Sequence, residues 1–409
     1  MKKKNVVIVS THDSGKWFGC YGHATVRTPN IDRLAAEGVV MDRYFAVSPI
    51  CSPSRGAAMT GLAPQRNGLM GLTHHGFRLK DEVTHAAEHF RDRGYESVLF
   101  SFQHEANEEE WPRLGFERYE VPQTGDPQYP FMFRNAPEVA RGFAEFVKTR
   151  DDDRPFYAQI GFNETHTPFW FGGAVPDREQ GVEVPAYLEE TADAVNHLAG
   201  LQGALRQADE GVGILLDALE AAGLSDDTLV VFTTDHGIES KRDKWTLYDP
   251  GLEIAGIFKG PGLPAGQRLA DVQSNLNFLP TLFELAGVAS LADSDGDSFA
   301  SRLRNPGESL ETEKPFFGIY HNGACRCIRT GAHKLIWNLG PEPYVTPPPQ
   351  RLDGTGPAAA RPVWDLYALE TDPNEFENRA GEEALADIER DLREQLLGWM
   401  RRVGDPCTP

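Results

Sequence analysis

The sequence is poor in cysteine and in basic residues, and it has no long apolar run. Its five cysteines, an odd number in 409 residues, fit a reducing compartment and argue against a disulfide framework. Because 40 Lys and Arg residues face 61 Asp and Glu residues, the net charge of -21 argues against nucleic acid and membranes as partners. No apolar stretch approaches the ~20 residues of a membrane-spanning helix, and the run at residues 5–10 is too short for a signal peptide. We therefore expect a cytoplasmic protein.

Short apolar runs alternate with amphipathic patterns over the first 260 residues. Strands are predicted at residues 6–9, 39–40, 97–100, 156–161, 228–233 and 252–258, and helices at residues 84–92 and 198–222. This alternation is typical of a mostly parallel sheet that is sandwiched by helices. A further helix is predicted from Pro29, because Thr28 can cap its free N–H groups and Gly38 suits its C-terminal stop.

The character of the sequence changes near residue 290. Short strands at residues 315–320, 326–330 and 334–337 predict an antiparallel sheet, and residues 382–402 predict an amphipathic helix. A stretch rich in proline and glycine at residues 340–362 predicts a long loop or lid. The predicted fold class is therefore α/β, with a large domain at residues 1–300 whose mostly parallel sheet is sandwiched by helices. A smaller C-terminal α+β domain with an antiparallel sheet is predicted at residues 301–409.

The most specific motif is the string Cys51-Ser52-Pro53-Ser54-Arg55, followed by Gly56-Ala57-Ala58-Met59-Thr60-Gly61. It resembles the signature of the formylglycine-dependent sulfatases, which belong to the alkaline phosphatase-like superfamily. The resemblance implies that a formylglycine-generating enzyme oxidises Cys51 to an aldehyde, which Arg55 orients. A hydrated aldehyde has two hydroxyls, of which one can attack sulfur and the other can later expel sulfate. The alternative interpretation of Cys51 is a structural cysteine at the start of a helix.

The resemblance extends over nearly the whole chain. Residues 28–35 are similar to the first helix of sulfatases, and residues 363–367 and 371–375 look like the family's Leu-Tyr and Asp-Pro-x-Glu patterns. Residues 68–72, 208–213 and 405–407 look closest to the sulfamidase branch, whose substrates are cleaved at an S–N bond. The resemblance therefore favours an N-sulfoglucosamine-type substrate or another small sulfamate.

Two pairs of imidazole and carboxylate side chains follow predicted strands. His12 and Asp13 come after the first strand, and Asp235 and His236 come after the strand at residues 228–233. Since ligands in such folds lie at the carboxyl ends of parallel strands, we expect these side chains to meet. The resemblance implies that they bind one divalent metal ion together with Cys51, although His12 stands where sulfatases usually have an aspartate. The family favours Ca2+, carboxylates also suit Mg2+, and two imidazoles shift the preference towards Mn2+.

Three further residues are assigned to catalysis by the resemblance. His104 corresponds to the family histidine that hydrogen-bonds formylglycine, and His166 to the histidine that protonates the leaving atom. Lys244 corresponds to the basic residue that binds a sulfate oxygen. The lysine that sulfatases carry two residues before the first of these histidines is Phe102 here, so one usual sulfate contact is missing. Without the resemblance, the histidines would be interpreted as structural and Lys244 as part of a solvated charge run.

These residues together predict a metal-dependent hydrolase of sulfuric esters or sulfamates that acts on a small anionic sulfated substrate. The missing lysine leaves open a second hypothesis, a phosphonate monoester or phosphodiester hydrolase of the same superfamily. A third hypothesis is a non-catalytic binding protein that keeps the fold and an anion pocket, which an unmodified Cys51 and the absence of a metal would favour. His74 and His75 follow the signature and stay outside the predicted catalytic set. The resemblance also makes a homodimer plausible.

Overall fold

The computed structural model describes residues 3–120, 135–289, 291–308, 310, 312–321, 325–339 and 362–408. Its large sheet contains β1 (Asn5–Thr11), β2 (Val39–Phe45), β3 (Glu96–Ser101), β4 (Arg118–Glu120), β5 (Phe156–Phe162), β6 (Thr228–Thr234), β7 (Gly256–Lys259) and β8 (Gln267–Ser274). Their spatial order is β4-β3-β5-β1-β6-β7-β2-β8. The pairings between these strands are parallel except the two made by β7, which are antiparallel.

A second, smaller sheet follows in the C-terminal part of the chain. It contains β9 (Phe316–Tyr320), β10 (Cys325–Arg329), β11 (His333–Asn338) and β12 (Trp364–Ala368), in the order β12-β11-β10-β9. Its pairings are antiparallel. The predicted fold class is therefore confirmed. The boundary between residues 300 and 301 stays a prediction, and residues 340–361 of the predicted lid lie outside the described residues.

Helices cover both faces of the large sheet. Within the described residues they are α1 (Pro29–Ala36), α2 (Cys51–Thr60), α3 (Pro64–Asn67), α4 (Ala86–Arg91), α5 (Ala136–Thr149), α6 (Ala192–Ala221), α7 (Asp249–Leu252), α8 (Phe278–Ala286), α9 (Ala300–Arg304) and α10 (Ala386–Val403). Along β1, Val7 and Val9 pack in the core with α5 and α6, whereas Val6 and Ile8 pack in the core with α4 and α8. None of these helices combines the length and apolar character of a membrane span.

A third core joins the small sheet to the segment that leads into α2. Ile50 and Cys51 pack in this core with Ile319 of β9 and Leu396 of α10. The backbone N–H of Ile319 donates a hydrogen bond of 2.7 Å to the carbonyl of Val47. The small sheet therefore supports the N-terminus of α2, where the signature cysteine lies.

The capping role predicted for Thr28 is wrong. Helix α1 begins at Pro29 as predicted, but Thr28 Oγ1 makes no capping bond and accepts a hydrogen bond of 3.0 Å from Gly19 N. Asp209 of α6 instead accepts hydrogen bonds from the backbone N–H groups of Asn30 and Ile31, at 2.9 and 2.8 Å. A carboxylate from a distant helix thus satisfies the free N–H groups of α1 and interacts well with its positive end.

Two further local predictions are corrected. Helix α1 ends in a right-handed conformation at Glu37, so Gly38 is not a left-handed stop. A Cβ on Gly38 would lie 2.5 Å from the carbonyl oxygen of Phe258, so the close approach of β7 is what requires glycine. The strand predicted at residues 252–258 begins only at Gly256, because Leu252 ends the short helix α7, which has a proline in its first turn.

Candidate active site

Side chains from the ends of β1 and β6 meet at the carboxyl edge of the large sheet. The two strands pair in parallel to their last residues, so the residues that follow lie side by side. His12 Nδ1 lies 3.2 Å from Asp235 Oδ2, and His236 Nε2 lies 3.2 Å from Asp13 Oδ1. Asp13 N also donates a hydrogen bond of 2.9 Å to Asp235 Oδ1. The four predicted ligands are therefore brought together and buried, and their binding of a metal stays a prediction.

The signature residues approach the same cluster from α2. Cys51 is the first residue of this buried helix, and its Sγ lies 3.3 Å from His236 Nε2. Arg55 lies one turn later on the same helix face and donates hydrogen bonds from Nε to Asp235 Oδ2 and from Nη1 to Ser10 Oγ, both of 3.1 Å. Because α2 begins at Cys51, its free backbone N–H groups lie beside the cluster, which favours an anion there.

Lys244 reaches the cluster from the loop that follows β6. Its Nζ donates a hydrogen bond of 2.7 Å to Asp13 Oδ2, and only 4% of the residue is exposed. The loop is held by a hydrogen bond of 3.1 Å from Lys244 N to the carbonyl of Ile238. Its neighbour Asp243 accepts a hydrogen bond of 3.0 Å from Tyr187 Oη. Lys244 is therefore buried in the site, and with Arg55 it places two positive charges beside the carboxylates.

The protonation states of three candidate ligands suit a metal ion. Burial alone would raise the pKa of Asp13, but Lys244, His166 and His236 lower it to about 2. The pKa of Asp235 is likewise held well below its ordinary value, although burial alone would raise it. Burial and the charge of Arg55 lower the pKa of His12 to about 3. Two carboxylates are therefore ionised at neutral pH, and His12 is neutral with a lone pair to donate.

The unmodified thiol of Cys51 is a poor nucleophile in this setting. Burial is the largest cause that raises the pKa of Cys51 well above its ordinary value. Since the thiolate is the reactive form of cysteine, this thiol stays protonated and inert at neutral pH. Reactivity at position 51 therefore calls for a chemical change or a bound metal.

The residues present fit a divalent metal ion. Ligand atoms of His12, Asp13, Cys51 and Asp235 all lie within 4.8 Å of one another. Both ring nitrogens of His12 and Oδ1 of Asp13 are buried without a hydrogen bond, although His12 Nδ1 lies close to Asp235. Buried polar atoms without a partner cost free energy, and a bound cation would satisfy them. Two carboxylates with an imidazole suit Ca2+, Mg2+ or Mn2+.

Phe102 forms an apolar wall where the resemblance predicts a lysine. Its ring centroid lies 4.4 Å from that of His12 and 5.5 Å from that of His104. The guanidinium carbon of Arg55 lies 5.7 Å from the centre of the same ring. Burial, followed by the charges of His12 and Arg55, lowers the pKa of His104 well below its ordinary value. His104 is therefore uncharged at neutral pH.

His166 lies at the open side of the cluster. Its side chain is 27% exposed, and its Nε2 lies 3.9 Å from Asp13 Oδ2. Its Nδ1 lies 2.7 Å from the carbonyl oxygen of Thr167. Because a carbonyl can only accept a hydrogen bond, Nδ1 carries a hydrogen, and Nε2 is the atom available to the site. The ring can therefore deliver or take a proton through Nε2.

Three residues beside the site lie outside the set of site residues predicted from the sequence. The ring of His74 stacks on that of His104, with centroids 5.7 Å apart. Glu105 is buried and accepts a hydrogen bond of 3.1 Å from His104 N, which fixes the loop after β3. Glu239 Oε2 lies 3.6 Å from Lys244 Nζ. The available signal was proximity in sequence to a predicted site residue for Glu105 and Glu239, and a histidine pair after the signature for His74.

A model of the protein family described as Sulfatase matches residues 4–288, which is well over half of the chain and includes Cys51 and Asp235. The chain belongs to the sulfatase family. Among its relatives in that family, N-sulphoglucosamine sulphohydrolase of Homo sapiens is 27% identical over 473 residues, which cover 100% of this chain and 92% of that protein. The predicted family, and with it an enzyme of the sulfatase class, is therefore confirmed.

Solved structures agree with the sulfatase fold. The structure of BT4656 in complex with its substrate D-Glucosamine-2-N, 6-O-disulfate superposes with a TM-score of 0.80 at 18% identity, covering 100% of this chain and 99% of that one. The phosphonate monoester hydrolase of Agrobacterium radiobacter superposes with a TM-score of 0.76 at 20% identity, covering 98% and 96%. At these identities the likeness establishes the fold alone.

Proposed function

We propose that this protein is a metal-dependent sulfamidase that hydrolyses an N-sulfoglucosamine-type substrate with formylglycine made from Cys51. The observation that carries the proposal is the position of Cys51 at the N-terminus of α2, within 4.8 Å of ligand atoms of His12, Asp13 and Asp235. A signature cysteine within a cation site is the arrangement that formylglycine chemistry needs. Ca2+, Mg2+ and Mn2+ are the proposed ions, and a formylglycine-generating enzyme is the proposed maturation partner.

The sulfuryl group is proposed to bind between Arg55 and Lys244. A metal ion held by His12, Asp13, Asp235 and the side chain at position 51 would lower the pKa of a formylglycine hydroxyl and so supply the nucleophile for sulfur. Arg55 and Lys244 are fixed by hydrogen bonds of 3.1 Å to Asp235 and 2.7 Å to Asp13, so their charges are oriented before substrate arrives. Such preorganised charges stabilise the negative charge that builds up on the sulfuryl oxygens, and this contribution is usually larger than acid catalysis.

The two histidines are proposed to act in different steps, His166 when the nitrogen leaves and His104 when sulfate departs. His166 carries hydrogen on Nδ1, which donates to the carbonyl of Thr167, and its Nε2 is proposed to protonate the leaving nitrogen. Nitrogen is a poor leaving atom, so this proton is essential for cleavage of a sulfamate. His104 is buried and neutral beside Phe102, and it is proposed to hydrogen-bond a hydroxyl at position 51 and so help sulfate to depart.

The choice of substrate is supported by the relatives. Human N-sulphoglucosamine sulphohydrolase aligns with 100% of this chain, and BT4656 was solved with its substrate D-Glucosamine-2-N, 6-O-disulfate. Phe102 favours a second candidate function, hydrolysis of a phosphonate monoester or phosphodiester, because it removes a cation that a sulfatase would use. The fold is shared with a phosphonate monoester hydrolase.

The proposal is tested by comparing turnover of four substrates by the converted, metal-loaded protein. They are N-sulfoglucosamine, an aryl sulfate, a phosphonate monoester and a phosphodiester, each assayed in parallel with a Cys51→Ala variant. The proposal expects the highest kcat/KM on the sulfamate and loss of that activity in the variant. Preference for either phosphorus substrate would establish the second candidate instead.

A further inference from the structure

Glu239 occupies the open side of the site, next to the proposed leaving-group acid. Its side chain is 37% exposed, and its Oε2 accepts a hydrogen bond from Thr167 Oγ1. Lys244 Nζ lies 3.6 Å from the same oxygen. Ligand atoms of Asp13, His166 and Glu239 lie within 4.8 Å of one another. A site that is otherwise suited to an anion therefore carries an acidic group where the leaving part of the substrate would lie.

A second metal ion does not account for this carboxylate. The ammonium of Lys244 lies 2.7 Å from Asp13 Oδ2 and 3.6 Å from Glu239 Oε2, so a cation already serves both acidic groups. Asp13 also belongs to the cluster that is proposed to hold the metal, so the second group adds only His166 and Glu239 as ligands of its own. Glu239 is partly exposed, so its carboxylate is accessible from the open side of the site.

The chemistry of the leaving atom indicates a function for Glu239. A carboxylate accepts hydrogen bonds and donates none when ionised, so it attracts an N–H group and repels an oxygen that gains negative charge. The bridging nitrogen of a sulfamate carries a hydrogen, whereas the bridging oxygen of a sulfate ester carries none. We propose that Glu239 is a specificity-determining residue that selects nitrogen over oxygen as the leaving atom, by accepting a hydrogen bond from the sulfamate N–H and binding the ammonium of the product. This inference rests on the proposed function.

The charge on the leaving nitrogen changes during the reaction in the direction that the Glu239 carboxylate favours. The overall reaction is R–NH–SO3− + H2O → R–NH3+ + SO42−, in which the S–N bond breaks with its electron pair on nitrogen and an S–O bond forms. His166 gives nitrogen its first proton and is reprotonated by water, and the second proton also comes from water. The nitrogen therefore goes from neutral to positive, and Glu239 stabilises it increasingly as the bond breaks. On a sulfate ester, the same carboxylate would oppose the charge that develops on oxygen.

The test compares two substrates that differ in one atom, N-sulfo-D-glucosamine and D-glucose 2-O-sulfate, with the converted, metal-loaded enzyme. Glu239→Gln removes the charge and keeps the shape, and Glu220→Gln is the matched control because Glu220 is exposed near the end of α6. The ratio of kcat/KM for the sulfamate to kcat/KM for the O-sulfate is expected to be lower in Glu239→Gln by about ten-fold or more. The reason is that the loss of a hydrogen bond to a charged group typically changes a rate by about that factor. Glu220→Gln is expected to keep the wild-type ratio. An unchanged ratio in Glu239→Gln would overturn the inference.

Binding of the product amine provides a readout that does not need turnover. D-Glucosamine, titrated calorimetrically into the unconverted protein while its amine is protonated, is expected to bind at least about ten-fold more weakly to Glu239→Gln than to wild type. Inorganic sulfate is expected to bind Glu239→Gln no more weakly than wild type. Equal affinity of both proteins for D-glucosamine would overturn the inference. Wild-type protein that hydrolyses no sulfamate would instead contradict the proposed function, whereas hydrolysis with an unchanged ratio contradicts only the role of Glu239.

Discussion

The ammonium of Lys244 lies 2.7 Å from Oδ2 of Asp13, and both side chains are buried. This pair connects the loop after β6 to the end of β1, across 231 positions of sequence. Burial alone would lower the pKa of Lys244, but the charge of Asp13 raises it above its ordinary value. The site therefore holds a fixed positive charge at neutral pH, placed by the same carboxylate that is proposed to bind the metal.

Replacing Lys244 by Met is expected to harm both stability and catalysis. The variant leaves the buried carboxylate of Asp13 without its cation, which should lower the free energy of unfolding of the metal-free protein by about 3 to 5 kcal/mol. It also removes a charge from the sulfuryl site, and we expect kcat to fall by about 100-fold or more. Denaturant unfolding and steady-state kinetics measure the two effects. Exposed Lys241→Met is the control, and wild-type values in Lys244→Met would contradict this role.

Replacing His166 by Gln should impair cleavage in proportion to how poor the leaving group is. Without an acid at Nε2, turnover of a sulfamate or an alkyl sulfate is expected to fall by about 100-fold to 10,000-fold. An activated aryl sulfate needs little protonation, so its turnover should fall much less. The measurement is kcat/KM over a series of leaving groups of known pKa. A loss that is equal across the series would remove His166 from the role of acid.

Metal removal should abolish turnover, and His12 should influence which ion restores it. A chelator is expected to lower the melting temperature, because an ion at 100 times its dissociation constant stabilises the folded state by about 2.7 kcal/mol. His12→Asp adds a carboxylate to the cluster and is expected to shift the preference from Mn2+ towards Ca2+. Thermal unfolding during titration with each ion measures the stabilisation and the ion preference, and turnover of the same samples measures the activity. If no divalent ion raises the melting temperature of the wild type, the proposed metal site is wrong.

The ion pair of Arg326 and Asp405 should make stability depend on acid pH. Arg326 is fully buried, and its Nε lies 2.6 Å from Asp405 Oδ2. Burial alone would raise the pKa of Asp405, but Arg326 lowers it below its ordinary value of 3.8. The stabilisation is therefore fully present above pH 3.8 and is lost as the pH falls through the lower folded-state pKa.

Asp405→Asn tests this pair by urea unfolding at several pH values. At neutral pH the variant is expected to lose about 3 to 5 kcal/mol, because Arg326 keeps its buried charge without a partner. As the pH falls from 3.8 through the lower folded-state pKa of Asp405, the two proteins should converge. Exposed Asp387→Asn is the matched control and should change stability by less than about 1 kcal/mol. A difference that stays constant with pH would contradict the assignment to Asp405.

The sequence was informative where local chemistry decides the structure. The β-branched run of β1 is buried on both faces, so its apolar character is continuous and easily recognised. The pairs at positions 12–13 and 235–236 were predicted to meet because β1 and β6 are parallel neighbours whose carboxyl ends share one edge. Both inferences need only the period of the pattern and a general property of parallel sheets.

The sequence was uninformative where the partner of a side chain or helix end lies far away in the chain. Asp209 of α6, rather than the adjacent Thr28, satisfies the N-terminus of α1. Glu239 lies close to Asp235 in sequence, but no pattern in the sequence indicates that it accepts a hydrogen bond from Thr167, 72 positions away.

The most direct test of the account is peptide mass spectrometry across Cys51, on protein co-expressed with a formylglycine-generating enzyme and assayed beside Cys51→Ala. The account predicts that Cys51 is converted to formylglycine, that sulfamate turnover rises with the converted fraction, and that Cys51→Ala is inactive. An intact Cys51 thiol together with full activity in Cys51→Ala would contradict it.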